Sequence, residues 1–135
     1  MRILVVEDEE SLRITLAANL ELEGYEVVEA SNGKEAIELL DGGKFDLVLS
    51  DIRMPKATGV DVLLHVKEHH PGLPVVLMTA YAMEDQVRTA MSEGVFAVLK
   101  KPFDFSAAAA AIVRALKSNG FFRTAKTPSD IAVRT

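Results

Sequence analysis

The chain has 135 residues, 49% of them apolar and 26% charged, with a formal net charge of −5 and no cysteine. This length and composition fit one globular domain with a proper core and exclude a disordered chain, a disulfide scaffold and a thiolate metal site. The acidic balance speaks against nucleic-acid binding by the domain itself, and no apolar run approaches the length of a membrane span.

The charge is unevenly spread. From Arg114 onward five basic residues accompany one acid, a local +4 that leaves −9 on residues 1–113. Residues 1–10 carry acids where a signal peptide carries basic residues. Together with the lack of cysteine, this leads to the expectation of a cytoplasmic protein.

Taken in chain order, short aliphatic runs alternate with helical periods. "RILVV" (2–6) is a first strand, continuous rather than alternating and therefore buried on both faces. Leu12, Leu16 and Leu20 then recur every fourth residue, a helix with Ser11 as its expected cap. "YEVVEA" (25–30) is a second strand, and Asn32 caps "GKEAIELL", where Ala36, Leu39 and Leu40 share a face. "FDLVLS" (45–50) and "PVVLMTA" (74–80) are strands on either side of "GVDVLLHVKEHH", the helix that follows Gly59. "EDQVRTAMSEG" groups Val87, Ala90 and Met91 and stops at Gly94. "FAVLK" (96–100) is the fifth strand, and "FSAAAAAIVRALKSNG" is a strong helix former expected to stop at Gly120. Met54, Met78 and Met91 are expected in core or pocket packing. His65, His69 and His70, at the end of a surface helix, are expected to be solvated.

Five alternations with short connections predict an α/β fold: a doubly wound, five-stranded parallel sheet flanked by five helices, over residues 1–120. Residues 121–135 have no period, contain Pro128 and read as a linker or disordered tail.

Ligands of open parallel sheets bind beyond the carboxyl ends of the strands. Glu7 and Asp8 follow the first strand, Asp51 the third, Thr79 ends the fourth, and Lys101 and Pro102 follow the fifth. Adjacent strands lie about 4.8 Å apart, so carboxylates at neighbouring ends can share one cation. Hard oxygen donors in a small cluster suit Mg²⁺, which keeps several waters and accepts phosphate oxygens. Glu9 and Glu10 are better placed as acids in the positive first turn of a helix. There is no GxxxxGK[ST] loop and no GxGxxG after the first strand, which sets aside nucleotide cradles of those kinds.

The same residues resemble the response-regulator receiver domain, the phosphoacceptor half of two-component signalling. The likeness covers residues 1–120 and rests on Glu7–Asp8, on "DIRMPKATG" with Asp51, Met54, Pro55 and Gly59, on "TAY" at Thr79, and on "KKPF" with Lys101, Pro102 and Phe103. It implies that Asp51 accepts a phosphoryl group from a sensor histidine kinase or phosphotransfer protein, and that Thr79 and Lys101 contact the phosphoryl oxygens. It implies Mg²⁺, with Mn²⁺ as a substitute, held by Glu7, Asp8, Asp51 and the backbone carbonyl of Arg53. It also implies a cis bond between Lys101 and Pro102, with Pro55 and Gly59 shaping the loop after the third strand. Many relatives carry an aromatic residue where this chain has Val98, so Tyr81 is an alternative lever, and Arg53 and Tyr81 are candidates for setting the phosphoryl lifetime. Phe96 is expected on the same strand face as Val98. The family pairs through its fourth helix, fifth strand and fifth helix, and the alanines from Ala107 to Ala111 suit either such a contact or packing inside the domain. "DIRMP" and "KKPFD" resemble receivers of enhancer-binding, NtrC-like activators, which implies an effector domain outside this chain and a role in transcription regulation. The alternative is a pseudo-receiver that binds partners without phosphorylation. A phosphohydrolase with its nucleophile after the first strand would want an Asp where Glu10 stands.

Overall fold

A computed structural model describes residues 1–81 and 85–124, with side chains as far as Ser118. Five strands alternate with five helices: β1 (Arg2–Val6), α1 (Glu10–Leu22), β2 (Glu26–Ala30), α2 (Gly33–Gly42), β3 (Leu47–Asp51), α3 (Gly59–His69), β4 (Val75–Thr79), α4 (Asp85–Ser92), β5 (Ala97–Lys100) and α5 (Phe105–Thr124). All pairings are parallel, in the order β2-β1-β3-β4-β5. The doubly wound α/β architecture is the one the alternation predicts.

Strand position explains strand composition. Val48 pairs with Leu4 on one side and Val75 on the other, and every residue of β3 and β4 is buried. These central strands are therefore aliphatic without alternation. β2 and β5 are the edges and only partly buried, and β2 carries Glu26 and Glu29 on its exposed positions. Charges on an edge strand discourage pairing with another chain.

The sheet divides the core into two layers. Leu4, Val6, Val48 and Leu77 pack against Ala36 and Leu40 of α2, Leu63 and Val66 of α3, and Ala90 of α4. Ile3, Val5, Leu49 and Met78 pack against Leu16 and Leu20 of α1 and Ile112 and Leu116 of α5. α1 and α5 thus cover one face and α2 to α4 the other. Each large aliphatic side chain fully buried here contributes about 1.5–3 kcal/mol through apolar area removed from water.

Several local expectations need correction. Asn32 does cap α2, its Oδ1 accepting the Glu35 N–H at 2.8 Å, but Ser11 does not cap α1. That helix starts at Glu10 with Glu9 as an extended cap residue lacking a side-chain cap bond. The Glu9 N–H donates to Glu7 Oε1 at 3.3 Å, so the turn out of β1 is closed before Ser11 is reached. α5 runs through Gly120 to Thr124, because one glycine costs a helix only about 1 kcal/mol relative to alanine. Residues 125–135, the rest of the expected tail, lie outside the described residues.

Met91 is 64% exposed, unlike the buried Met78 and half-buried Met54. It follows the buried Ala90 on α4, and the next residue along a helix points about 100° away. Phe96 packs with Ala97 and Leu99 in the α1–α5 layer, whereas Val98 packs in the opposite one. Phe96 lies just before β5 begins, where the two-residue alternation does not yet hold. In α5, Ala108 and Ala111 are buried within the domain while Ala107 and Ala110 are exposed.

Candidate functional site

The chemistry-bearing residues come together at the carboxyl edge of the sheet. Asp51 ends β3 in register with Met78, so Thr79 lies one step beyond it on the neighbouring strand. Glu7 and Asp8 follow β1 on the other side of β3. One carboxylate oxygen from each of Glu7, Asp8 and Asp51 lies within 4.8 Å of the others. Lys101 reaches across from the far end of β5, its Nζ donating to Asp51 Oδ2 at 3.0 Å and to Glu7 Oε2 at 3.2 Å. The Lys101–Pro102 bond is cis, as the resemblance implies.

Burial makes this cluster electrostatically demanding. Glu7 is 1% exposed and Asp51 8%, while Asp8 faces solvent. Burial, and then the neighbouring Asp51 carboxylate, push the Glu7 carboxyl up to about 7, with Lys101 opposing the rise. Burial works against the Lys101 ammonium, but its bonds and attraction to Asp51 and Glu7 outweigh that and raise its pKa. One ammonium does not fully offset the carboxylates around it. The donor set is all oxygen and compact, and it fits a hard divalent cation of the Mg²⁺ class.

Thr79 is 1% exposed, and its Oγ1 accepts the Tyr81 N–H at 3.0 Å. The Lys101 N–H donates to the Thr79 carbonyl at 2.8 Å, so the ends of β4 and β5 are tied together at the site. The Arg53 guanidinium lies 4.2 Å from the centre of the Tyr81 ring, a cation–π pair at the rim. Val98 is half-buried against the layer that contains Leu77 and presents no ring to that pocket.

The loop after β3 is held by close backbone contacts. Gly59 packs where a Cβ would run into the Asp51 carbonyl oxygen, and its N–H donates to the Ile52 carbonyl at 2.8 Å. Gly59 is required here by lack of space. Thr58 caps α3 with a reciprocal box to Asp61. Lys56 and Ala57 occupy the left-handed region (φ 53° and 79°), and the Lys56 carbonyl accepts the Lys34 N–H at 2.7 Å. Left-handed backbone costs a non-glycine residue about 1–2 kcal/mol, and the sequence carries no glycine there to signal it.

An apolar cleft of about 390 Å³ opens beside Lys101, lined among others by Leu12 and Leu16 of α1 and by Pro102, Phe103 and Phe105. Sequence reading missed this cleft, and it also missed Asp41. His65 and His70 are not solvated ends: both hydrogen-bond Asp41 Oδ1, at 2.8 and 3.0 Å.

A parallel doubly wound sheet with clustered carboxylates and an ammonium at its carboxyl edge defines an α/β protein whose candidate ligand site lies beyond the strand ends. Residues 3–117 match the family model of the response regulator receiver domain. The chain is 42% identical over 106 residues to the transcriptional regulatory protein PdtaR of Mycobacterium tuberculosis, covering 78% of this chain and 51% of that one. It is 40% identical over 112 residues to the DNA-binding transcriptional regulator NtrC of Escherichia coli, covering 83% of this chain and 24% of that one. It superposes on the response regulator TrrA of Thermotoga maritima, solved in complex with Mg²⁺–BeF, with a TM-score of 0.78 and 32% identity. That superposition covers 85% of this chain and 98% of TrrA. The chain belongs to the response regulator receiver family of two-component systems. It spans about half the length of PdtaR and about a quarter of NtrC. Among the described residues no helix is long and apolar enough to cross a membrane.

Proposed function

We propose that this receiver works by Mg²⁺-dependent phosphoryl transfer to Asp51 from a phosphohistidine on a sensor kinase or phosphotransfer protein. The observation that carries this reading is the Lys101 ammonium held between Asp51 and Glu7 at the strand ends. An Asp51 carboxylate oxygen attacks phosphorus in line, the P–N bond breaks, and the partner's imidazole nitrogen leaves with the electron pair. Lys101, already 3.0 Å from Asp51, pairs with a phosphoryl oxygen as the new acyl phosphate forms. Thr79 Oγ1 accepts from Tyr81, an arrangement that leaves its hydroxyl proton to donate to the phosphoryl group.

Glu7, Asp8, Asp51 and the Arg53 carbonyl are the residues that would hold the metal. A bound Mg²⁺, or Mn²⁺ in its place, supplies positive charge against the phosphoryl oxygens. The domain then catalyses only its own phosphorylation and hydrolysis and turns over no metabolite. The apolar cleft beside Lys101 offers a partner helix a place to dock next to Asp51.

The output is proposed as a shift of the α4–β5–α5 surface toward a state favoured by the phosphoryl contacts, with Thr79 and Tyr81 as the moving side chains. Met91 on α4 and Val113 on α5 are exposed there and support pairing of two copies. Kinship with PdtaR and NtrC supports an effector domain joined beyond α5 and a cytoplasmic role in transcription control.

Intact masses after incubation with a small phosphoryl donor test this reading. One phosphoryl adduct is expected on wild type with Mg²⁺, and none with EDTA or on Asp51→Asn. No adduct on wild type would favour a phosphorylation-independent interaction module instead.

A further inference from the structure

The three histidines of the chain fall within residues 65–70, and two of them converge on one carboxylate from a different helix. Asp41 sits near the end of α2, His65 on α3, and His70 is the C-cap residue just beyond α3. One ligand atom from each lies within 4.8 Å of the others. The His65 and His70 side chains are 16% and 27% exposed, and that of Asp41 is 52% exposed. The rings of His69 and His70 lie 4.5 and 5.7 Å from that of His65.

Two features make this more than a pair of surface hydrogen bonds. Both Nε2 atoms address the same oxygen, Asp41 Oδ1, at 2.8 and 3.0 Å. In a tetrahedral site with bonds of about 2.0–2.1 Å, neighbouring ligand atoms stand about 3.3 Å apart. Each nitrogen is thus within a few tenths of an ångström of that spacing from the shared oxygen, and the two nitrogens lie within 4.8 Å of each other. The rings are also crowded, that of His70 standing 5.7 Å from that of His65, and a shift of each ring proton to Nδ1 would turn both Nε2 lone pairs toward one ion. The ends of α2 and α3 supply helix C-terminal carbonyls, which favour positive charge, and the last turn of α2 carries no basic side chain.

We propose that Asp41, His65 and His70 form a second metal site, for a Zn²⁺-class transition ion, with water in the fourth position. Two imidazoles and one carboxylate suit Zn²⁺, Ni²⁺ or Cu²⁺, whereas Mg²⁺ prefers oxygen ligands alone, so the domain's two sites sort their metals by chemistry. The site is remote from Asp51. α3 starts against the Asp51 carbonyl at Gly59 and runs for 11 residues. At 1.5 Å per residue, His65 stands about 9 Å and His70 about 16 Å along the helix axis from that contact, toward the far end of α3. An ion bound there clasps the ends of α2 and α3.

The test uses the full chain without added histidines, stripped of metal and held in excess Mg²⁺ to occupy the acidic site. Zn²⁺ is titrated against a chromophoric chelator, and melting is followed in parallel. Expected are one Zn²⁺ per chain with roughly micromolar affinity or tighter and a raised Tm. Both effects should survive in Asp51→Asn and weaken at least about tenfold in His65→Gln, in His70→Gln and in the near-isosteric Asp41→Asn. Circular dichroism of each variant separates loss of the site from loss of the fold. Absence of Zn²⁺ binding in wild type, or binding undiminished in the folded histidine variants, would overturn the proposal.

Discussion

Glu7→Gln is the change whose consequence can be worked furthest from the geometry. The carboxyl is 1% exposed and held up at about 7 in the folded chain, against an ordinary value of 4.5. Near pH 4 both folded and unfolded chains hold the proton, and the site has no effect on stability. Between 4.5 and about 7 the unfolded chain ionises while the folded one does not, so stability falls as pH rises. Above about 7 the full cost applies, about 3 kcal/mol from the difference between the two values. Gln keeps an oxygen for Lys101 and offers an N–H toward Asp51, but it carries no charge to bury. In urea unfolding with EDTA, the stability of Glu7→Gln relative to wild type should therefore rise by about 2–3 kcal/mol between about pH 5 and about pH 8. A gap that stays constant, or one that narrows toward pH 8, would refute the view that Glu7 is a buried carboxyl awaiting a cation.

Three further substitutions test neighbouring parts of the account. Gly59→Ala should cost about 1–3 kcal/mol of unfolding free energy and slow phosphoryl uptake, because its Cβ meets the Asp51 carbonyl. Gly42→Ala, where a Cβ meets nothing within 4 Å, should instead stabilise by about 0.5–1 kcal/mol in the same denaturation assay. Replacing Arg53 or Tyr81 by Ala removes the cation–π pair at the rim and should change the lifetime of the phosphoryl group several-fold. Unchanged lifetimes in both variants would exclude that pair from controlling water access.

How much could be read in advance depended on what each feature is made of. Lys101 and Glu7 are 94 residues apart, yet their meeting was foreseeable, because in a parallel sheet every strand end delivers its residues to one rim. β3 and β4 were plain as unbroken aliphatic runs, being covered on both faces. Asp41 and its two histidines are only 24 and 29 residues apart, but no such rule applies. Their encounter depends on how the ends of α2 and α3 pack, which helical periodicity alone does not specify. The side of the sheet that Phe96 faces was misjudged for a related reason. Alternation gives a face only inside a strand, and Phe96 stands one residue before β5. The extent of α5 beyond Gly120 turned on a local cost too small to end a long helix.

The central claim concerns one bond, between phosphorus and an Asp51 oxygen, and trapping that bond is its most direct test. Borohydride reduces an aspartyl phosphate to homoserine, which peptide mass analysis then locates in the sequence. After exposure to a phosphoryl donor with Mg²⁺, homoserine is predicted at position 51 alone, with none when EDTA replaces the metal. Homoserine at another acidic position, or unmodified aspartate at 51 in a chain that has gained the phosphoryl mass, would contradict the account.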